Sequence, residues 1–374
     1  MESWLLEFRF EKSLLLDTRT LGTFVESLVE DVQEITCAGK VVYRGMEHCE
    51  KTGFKVLMQE AEHGNSSALI QGSSLGLLTI DLHVRDNYKE FEEKIKALRK
   101  KIFSYNRIVR RKTLEFETLP SITRGDDFSK YEKTTCNLLM EHDFDALVYD
   151  HDSPYQNIRI FHSKQYGNCL FLDNDMNLAE SDLPYTVAIT GNGKVDYRGK
   201  TVLILGGGDG GILNYLKDKG PKMITMIDID EMVIEAAKIH LRGICGDSLD
   251  QYEGENYKVI VGDCIEYLKE YISKGQKFDY IINDLTAIPI STEPVGSFWD
   301  FLRSILKLSM QVMATGGKYL TQGNSVNMTG ALKMYEEQLN KLDAKVSFTK
   351  QTVCVPSYHE LWVFYTLWKS ADSS

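Results

Sequence analysis

The sequence predicts an α/β protein. A Rossmann-like, doubly wound sheet spans residues 191–374. A linker and small antiparallel β domain over 116–190 precede it, and an N-terminal α/β domain occupies 1–115. Three observations carry this prediction. From Lys200 onward, short runs of β-formers alternate with amphipathic helical patterns. The first run, Val202-Leu-Ile-Leu-Gly-Gly-Gly-Asp-Gly-Gly211, passes from an apolar strand straight into a glycine turn and then a helical pattern. Three further apolar runs end in carboxylates: Asp228 with Asp230, then Asp263, then Asp284.

In the N-terminal domain, Trp4, Leu6, Phe8 and Phe10 alternate with Leu5, Glu7, Arg9 and Glu11, a strand signature. Leu21, Phe24, Val25, Leu28 and Val32 fall on one face of a helix. Strand-like runs follow at 40–46, 53–60 and 67–70, and a further alternation runs from Leu78 to Arg85. A second amphipathic helix carries Phe91, Ile95, Leu98 and Ile102. The domain holds no cluster of reactive side chains, so its expected role is packing or contact with a second subunit. Arg107, Arg110, Arg111 and Lys112, followed by Pro120 and Gly125, mark a linker. Between 136 and 190, turn signals at Ser153-Pro-Tyr155, Gly167-Asn168 and Asp173-Asn-Asp175 divide short strands. Ser181-Asp-Leu-Pro184 opens a helix, with serine or aspartate as cap and proline in the first turn. The final run, 360–368, is rich in β-formers and reads as a buried terminal strand.

Composition narrows the function. Acidic residues number 54 against 43 basic ones, a formal net charge of −11. That disfavours nucleic acid as a partner and suits a cationic small molecule. The seven cysteines include no Cys-x-x-Cys pair and read as reduced, mostly structural thiols. The eight histidines lack metal spacing, so no metal is expected. No apolar run approaches membrane-spanning length, and the N-terminus alternates charge and apolar residues without a signal-peptide core. A cytoplasmic protein with no membrane partner is expected. Asn65-Ser-Ser67 and Asn327-Met-Thr329 match a glycosylation pattern that such a location leaves unused. Gly199-Lys-Thr201 resembles the end of a phosphate-binding loop, but it precedes a strand instead of following one.

The glycine turn is a ligand platform. Bare backbone lets a ligand lie close, and the following helix points its positive end at it. Asp209, inside the turn, would repel a phosphate, so the expected ligand is a nucleoside with a cationic tail. Asp228 and Asp230 lie about 20 residues further on, where wound sheets place the acid that grips ribose hydroxyls. Asp263 precedes a helical pattern and reads equally as a helix cap or as a group facing the crevice. Asp284 ends the next strand, which puts four acid-bearing strand ends around one crevice.

Several stretches then coincide with a known family. Asp152-Ser-Pro-Tyr-Gln-Asn-Ile158, Asn177-Leu-Ala-Glu-Ser-Asp182 with Tyr185, Gly206-Gly-Gly-Asp-Gly-Gly211, Asn283-Asp-Leu-Thr286 with Pro289-Ile-Ser-Thr292, and Cys354-Val-Pro-Ser-Tyr-His-Glu-Leu-Trp362 occur in family order over more than half the chain. The chain resembles the polyamine aminopropyltransferases. The Ser-Pro-Tyr-Gln-Asn and Asn-Asp-Leu-Thr forms lean to the spermine synthases over the spermidine synthases. The resemblance implies a methyltransferase-like sheet. It also implies an N-terminal domain that resembles adenosylmethionine decarboxylase and mediates a homodimer.

The implied reaction transfers an aminopropyl group from decarboxylated S-adenosylmethionine to spermidine, giving spermine and methylthioadenosine, with no prosthetic group. Carried over by motif, Gln156 contacts the donor, Asp228 its ribose, and Asp263 with Cys264 its adenine. Tyr185, Tyr358 and Glu360 hold the polyamine, with Asp175 a further candidate. Asp284 takes the role of base, and Asp209 orients the donor's ammonium and shares the proton path. The family usually has glutamate at the ribose position, and Asp228 is one methylene shorter: it reaches one hydroxyl or uses a water, with Asp230 a candidate to fill the gap. Two rivals remain beside this reading: a methyltransferase using intact S-adenosylmethionine, and a catalytically silent polyamine-binding protein. Within the family, a putrescine-using spermidine synthase is the alternative, and thermospermine is an alternative product.

Overall fold

The computed structural model describes residues 2–36, 40–45, 53–59, 66–84, 88–109, 118–120, 128–134 and 138–370. Arg110, Arg111, Lys112 and Gly125 of the expected linker lie outside the described residues, as do Asn65, Arg85 and the ends of the runs at 46 and 60. By packing, the chain separates into two compact units, Met1–Ser129 and Lys130–Ser374.

The first unit contains β1 (Glu2–Phe10), α1 (Thr18–Thr36), β2 (Lys40–Gly45), β3 (Phe54–Gln59), β4 (Ser67–Gly72), β5 (Leu77–Val84), α2 (Tyr88–Phe103), β6 (Ile108–Val109) and β7 (Thr118–Pro120). The strands form one antiparallel sheet in the order β2-β3-β4-β5-β1-β6, with β7 also on β1. Period-two alternation in β1 turns Trp4, Leu6, Phe8 and Phe10 to one face. There they join Leu21, Val25, Leu28 and Val32 of α1 and Ile95, Leu98 and Ile102 of α2 in a single core. Both amphipathic stripes expected from the sequence are buried.

The second unit begins with a hairpin of β8 (Tyr131–Lys133) and β9 (Leu139–Glu141), followed by a four-stranded antiparallel meander. The meander is β10 (Phe144–Asp152), β11 (Asn157–Ser163), β12 (Gly167–Leu172) and β13 (Asp175–Ala179). Asp173 and Asn174 both adopt positive φ at the tight turn between β12 and β13, a conformation that short polar side chains tolerate.

After α3 (Leu183–Ile189) the wound sheet follows. Its elements are β14 (Thr201–Gly206), α4 (Gly211–Lys217), β15 (Met223–Asp228), α5 (Glu231–His240), α6 (Arg242–Cys245), β16 (Tyr257–Val261), α7 (Cys264–Ser273) and β17 (Phe278–Asp284). They continue through α8 (Ser297–Val312), β18 (Met313–Ser325), α9 (Thr329–Leu339), β19 (Val346–Val355) and β20 (Glu360–Lys369), with a short 3-10 turn at Pro356–Tyr358. The order is β16-β15-β14-β17-β18-β20-β19. The first five strands run parallel, and β20 is antiparallel to both its neighbours.

The sheet is buried on both faces. Val202 and Ile204 enter one core, and Leu203 and Leu205 enter the other. The order in which strands are added switches sides between β14 and β17, and the carboxyl ends of those parallel strands open the crevice where wound sheets bind ligands. The last strand is indeed interior: Val363, Phe364, Tyr365 and Leu367 are buried.

Two local features differ from or complete the expectations. Asp182 stands at the cap position of α3, yet its side chain caps none of that helix's amides. Among the described cysteines, Cys169, Cys245 and Cys264 are buried and Cys354 is exposed, all as free thiols. No helix among the described residues is long and apolar enough to cross a membrane.

Candidate active site

The glycine turn is shaped by what presses on it. In the parallel pairing of β14 with β17, Gly206 lies opposite Asp284. Gly206, Gly207 and Gly210 have φ of 79°, 84° and 77°. A Cβ on Gly206 would sit 2.5 Å from the carbonyl oxygen of Asp284, and one on Gly208 would sit 2.8 Å from Oδ2 of Asp228. The turn therefore brings two strand-end acids against bare backbone. Gly206→Ala is expected to lower the thermal midpoint of the chain by several degrees, since left-handed backbone alone costs an L-residue about 1–2 kcal/mol. An unchanged midpoint would contradict this close approach.

Three carboxylates meet there. Oδ1 of Asp209 accepts the Gly211 N–H at 2.7 Å. Burial pushes Asp209 up to about 6, against that hydrogen bond, and the charge of Asp228 adds to the rise. Oδ1 of Asp284 accepts the Tyr185 hydroxyl at 2.5 Å. Burial, then the charge of Asp209, raise Asp284 to about 7. Asp228 accepts the Gly208 N–H at 2.8 Å and the Asp230 N–H at 2.9 Å, and burial raises it too. The charges acting on these acids are those of other carboxylates. Such a group is relieved by an arriving cation and strained further by an anion.

Two tyrosines flank Asp284. Tyr185, on α3, is buried, and its ring stands edge-on to that of Tyr358 at 6.3 Å between centroids. The Tyr358 hydroxyl donates to the Asn177 carbonyl at 2.5 Å, and its ring also meets that of Trp362 at 5.0 Å between centroids. Burial, then the negative charges of Asp182, Asp284, Asp175 and Asp209, raise Tyr358 well above the ordinary phenol range. Asp175, an exposed residue at the start of β13, thus shares the field of the acid group. Glu360 is half-buried at the start of β20, paired with Val355, and follows His359, whose φ is 54°.

On the other side of the glycine turn, Gln156 sits in the β10–β11 connection. Its Nε2 donates to Oδ2 of Asp230 at 2.9 Å, as does the Ser153 hydroxyl at 2.6 Å. Asp230 also caps α5 by accepting the Met232 N–H at 3.1 Å, and it is 1% exposed. This corrects the expectation that Asp230 fills the gap left by the short Asp228. Its carboxylate is already surrounded by donors and faces the β10–β11 connection, so it has no free edge for a ribose. Asp263 accepts the Ile265 N–H at 2.8 Å and so acts as the cap of α7. The Cys264 thiol beside it is pushed up to about 12 by burial, then by the charges of Asp263 and Asp228. Sequence reasoning missed the bond between Asp182 and Ser357 and the clasp of Ser153 on Asp230. The expected cap position of Asp182 is the sequence signal for the first, while Asp230 reads from the sequence only as a ribose acid.

The family model described as spermine/spermidine synthase domain matches residues 183–374, and the one described as spermidine synthase tetramerisation domain matches 128–180. The chain belongs to the spermine/spermidine synthase family. The polyamine aminopropyltransferase of Thermococcus onnurineus (strain NA1) is 31% identical over 188 residues, 48% of this chain and 60% of that one. The enzyme of the same name from Pyrococcus abyssi is 31% identical over 207 residues, 53% and 70% of the two chains. Spermidine synthase 1 of Datura stramonium is 30% identical over 186 residues, 49% and 56%. The chain thus spans little more than half to about 70% of the length of these curated relatives.

Among solved structures, spermidine synthase from Thermotoga maritima superposes with a TM-score of 0.51 at 20% identity, over 68% of this chain and 82% of that one. A spermidine synthase in complex with the transition-state analogue AdoDATO gives 0.53 at 21%, over 68% and 84%. These likenesses establish the spermidine synthase fold, a methyltransferase-like α/β fold with a mixed sheet. The family matches begin at residue 128, so the N-terminal sheet lies outside them.

Proposed function

We propose that this chain is a spermine synthase. It transfers the aminopropyl group of decarboxylated S-adenosylmethionine to spermidine, giving spermine and methylthioadenosine. The observation that carries the reading is the Asp209–Asp284 pair beside a glycine turn, two carboxylates raised by burial and by neighbouring carboxylate charge, that of Asp228 on Asp209 and that of Asp209 on Asp284. Decarboxylation leaves the donor with a sulfonium and an ammonium and no anion, and the acceptor is a polycation. Such a pair of substrates relieves the strain that the acids hold among themselves.

In this reading the acceptor amine attacks the carbon next to sulfur. The new C–N bond forms as the C–S bond breaks, and the electron pair leaves on sulfur as a neutral thioether. The attacking amine sheds one proton, and Asp284 receives it. An ordinary aspartate is too weak a base for this, but one raised to about 7 holds a proton near neutral pH. Tyr185 fixes the oxygen that receives it. Asp209 orients the donor's ammonium. Gln156, Asp228, Asp263 and Cys264 line the donor side, while Tyr185, Tyr358, Glu360 and Asp175 line the acceptor side. Asp228, with both oxygens on backbone amides, holds ribose through its remaining lone pairs or through water.

The choice of spermidine over putrescine rests on the Ser153-Pro-Tyr-Gln-Asn157 and Asn283-Asp-Leu-Thr286 forms and on the α/β domain at 1–115, read as decarboxylase-like. The Datura stramonium relative, named spermidine synthase, supports the putrescine alternative. Incubation with the decarboxylated donor and each amine in turn, with products identified by mass spectrometry and chromatography, decides between them. Spermidine is expected to yield spermine and an equal amount of methylthioadenosine, with putrescine almost inert. Preference for putrescine overturns the finer reading, and no methylthioadenosine from either amine overturns the whole. The same assay across pH is expected to show kcat/KM rising as pH passes through the range of about 6 to 7, because the coupled pair must lose its protons to act.

The reading also includes a cytoplasmic homodimer joined through residues 1–115. Light scattering on the full chain is expected to give twice the chain mass, and removal of that domain is expected to give a smaller species. An unchanged dimer after its removal would move the interface elsewhere, with the tetramerisation-domain match at 128–180 the next place to look.

A further inference from the structure

Asp182 is among the most deeply buried carboxylates in the second unit, at 1% exposure. A buried carboxylate is expensive unless donors surround it. Its donors here come from two places. Oδ2 accepts the Ala179 N–H at 2.8 Å and the Ser357 hydroxyl at 2.5 Å. Oδ1 accepts the Ser357 N–H at 3.0 Å. An aspartate at a helix cap position ordinarily bonds the helix's own first amides, which is worth about 1 kcal/mol. Asp182 forgoes that and instead ties the start of α3 to a turn 175 residues away.

The two ends of this tie carry the two tyrosines. Tyr185 lies three residues after Asp182, and Tyr358 directly follows Ser357. We propose that Asp182 is the positioning residue of the acceptor half of the site: through Ser357 it sets the distance between Tyr185 and Tyr358, and so the shape of the space in which an amine meets Asp284. This rests on the aminopropyltransferase reading above. A merely architectural role is separable, because a second bond, from Gln351 Nε2 to the Ala188 carbonyl at 2.9 Å, already joins β19 to the far end of α3. Loss of the Asp182 tie therefore loosens the tyrosine end of the contact and leaves the sheet packed.

The test is steady-state kinetics and methylthioadenosine calorimetry on the full-length wild type and on Ser357→Ala, Asp182→Asn, the double variant and Gln351→Ala. One lost hydrogen bond to a charged group predicts about a tenfold fall in acceptor kcat/KM for Ser357→Ala. Asp182→Asn, which presents an amide to groups that are themselves donors, predicts about a hundredfold fall. Methylthioadenosine affinity and donor KM should stay within about twofold of wild type, and the double variant should be no worse than Asp182→Asn, because both changes break one link. Gln351→Ala should leave acceptor KM unchanged.

Losses that add in the double variant, wild-type acceptor kinetics in Ser357→Ala, or an equal loss of methylthioadenosine affinity would each overturn the proposal. Should Asp182→Asn fail to fold, Ser357→Ala against Gln351→Ala decides alone. An inactive wild type overturns the functional reading, whereas an active wild type with unaltered variants overturns only the positioning.

Discussion

Asparagine at position 284 is expected to slow turnover about a thousandfold, within the range that a positioned general base supplies, while methylthioadenosine still binds with nearly wild-type affinity. The amide keeps an oxygen for the Tyr185 hydroxyl, so the geometry survives. It has no lone pair basic enough for the amine's proton, so the chemistry does not.

Stability should move the other way. Asp284 is raised in the folded chain, so its contribution is fully present below the ordinary aspartate range and is lost as pH rises through about 7. The ligand-free wild type is therefore expected to melt lower at pH 8 than at pH 5. Asp284→Asn should gain steadily on the wild type between pH 5 and pH 8, across which folded Asp284 loses its proton, and melt several degrees above it at pH 8. Thermal scans at the two pH values, beside a turnover assay, check both halves. Near-normal turnover removes Asp284 from the role of base. A variant less stable than wild type at pH 8 removes the electrostatic strain.

Much of this was legible in the sequence because it depends on local pattern. The alternation from Trp4 to Phe10 and the 3.6-residue stripes at 21–32 and 91–102 report which face is buried, and the core follows them. The run Val202-Leu-Ile-Leu205 is apolar at every position because the strand is covered on both faces. The acids at 209, 228 and 284 follow from the glycine turn and from strand ends.

What was not legible depends on partners distant in sequence or on a change of direction at a strand end. Asp228 and Asp230 are two apart and would share a face if β15 continued. The strand ends at Asp228, so Asp230 turns into the cap of α5 and takes up Ser153 and Gln156 instead. Asp263 carried two readings, and the backbone amide of Ile265 supports the cap. The hydroxyl of Tyr358 goes to a carbonyl at 177, and the carboxylate of Asp182 goes to Ser357. No periodicity encodes such pairs, because they exist only once the meander and the C-terminal hairpin have packed on α3.

Asp209→Asn is expected to lower kcat/KM for the decarboxylated donor about a hundredfold and to narrow its advantage over intact S-adenosylmethionine. The asparagine oxygen can still accept the Gly211 N–H, so the turn keeps its shape and only the charge is lost. Among the described residues, the effects that act on that charge are burial, backbone amides and Asp228, with no cation among them. A donor ammonium supplies the missing positive charge. The carboxylate of intact S-adenosylmethionine would bring an anion to a place already holding three acids, and at low local dielectric such repulsion amounts to several kcal/mol. Removing the Asp209 charge therefore weakens the right donor and relieves the wrong one, which a change in pocket shape alone would not do. Because the same charge helps to raise Asp284, the acid limb of the activity profile should also move to lower pH in the variant. Calorimetry with both donors and a pH series of turnover measure the two effects on one protein. Unchanged donor selectivity with an unmoved acid limb would mean that Asp209 serves only to shape the turn, and the electrostatic basis for choosing a decarboxylated donor would then be lost.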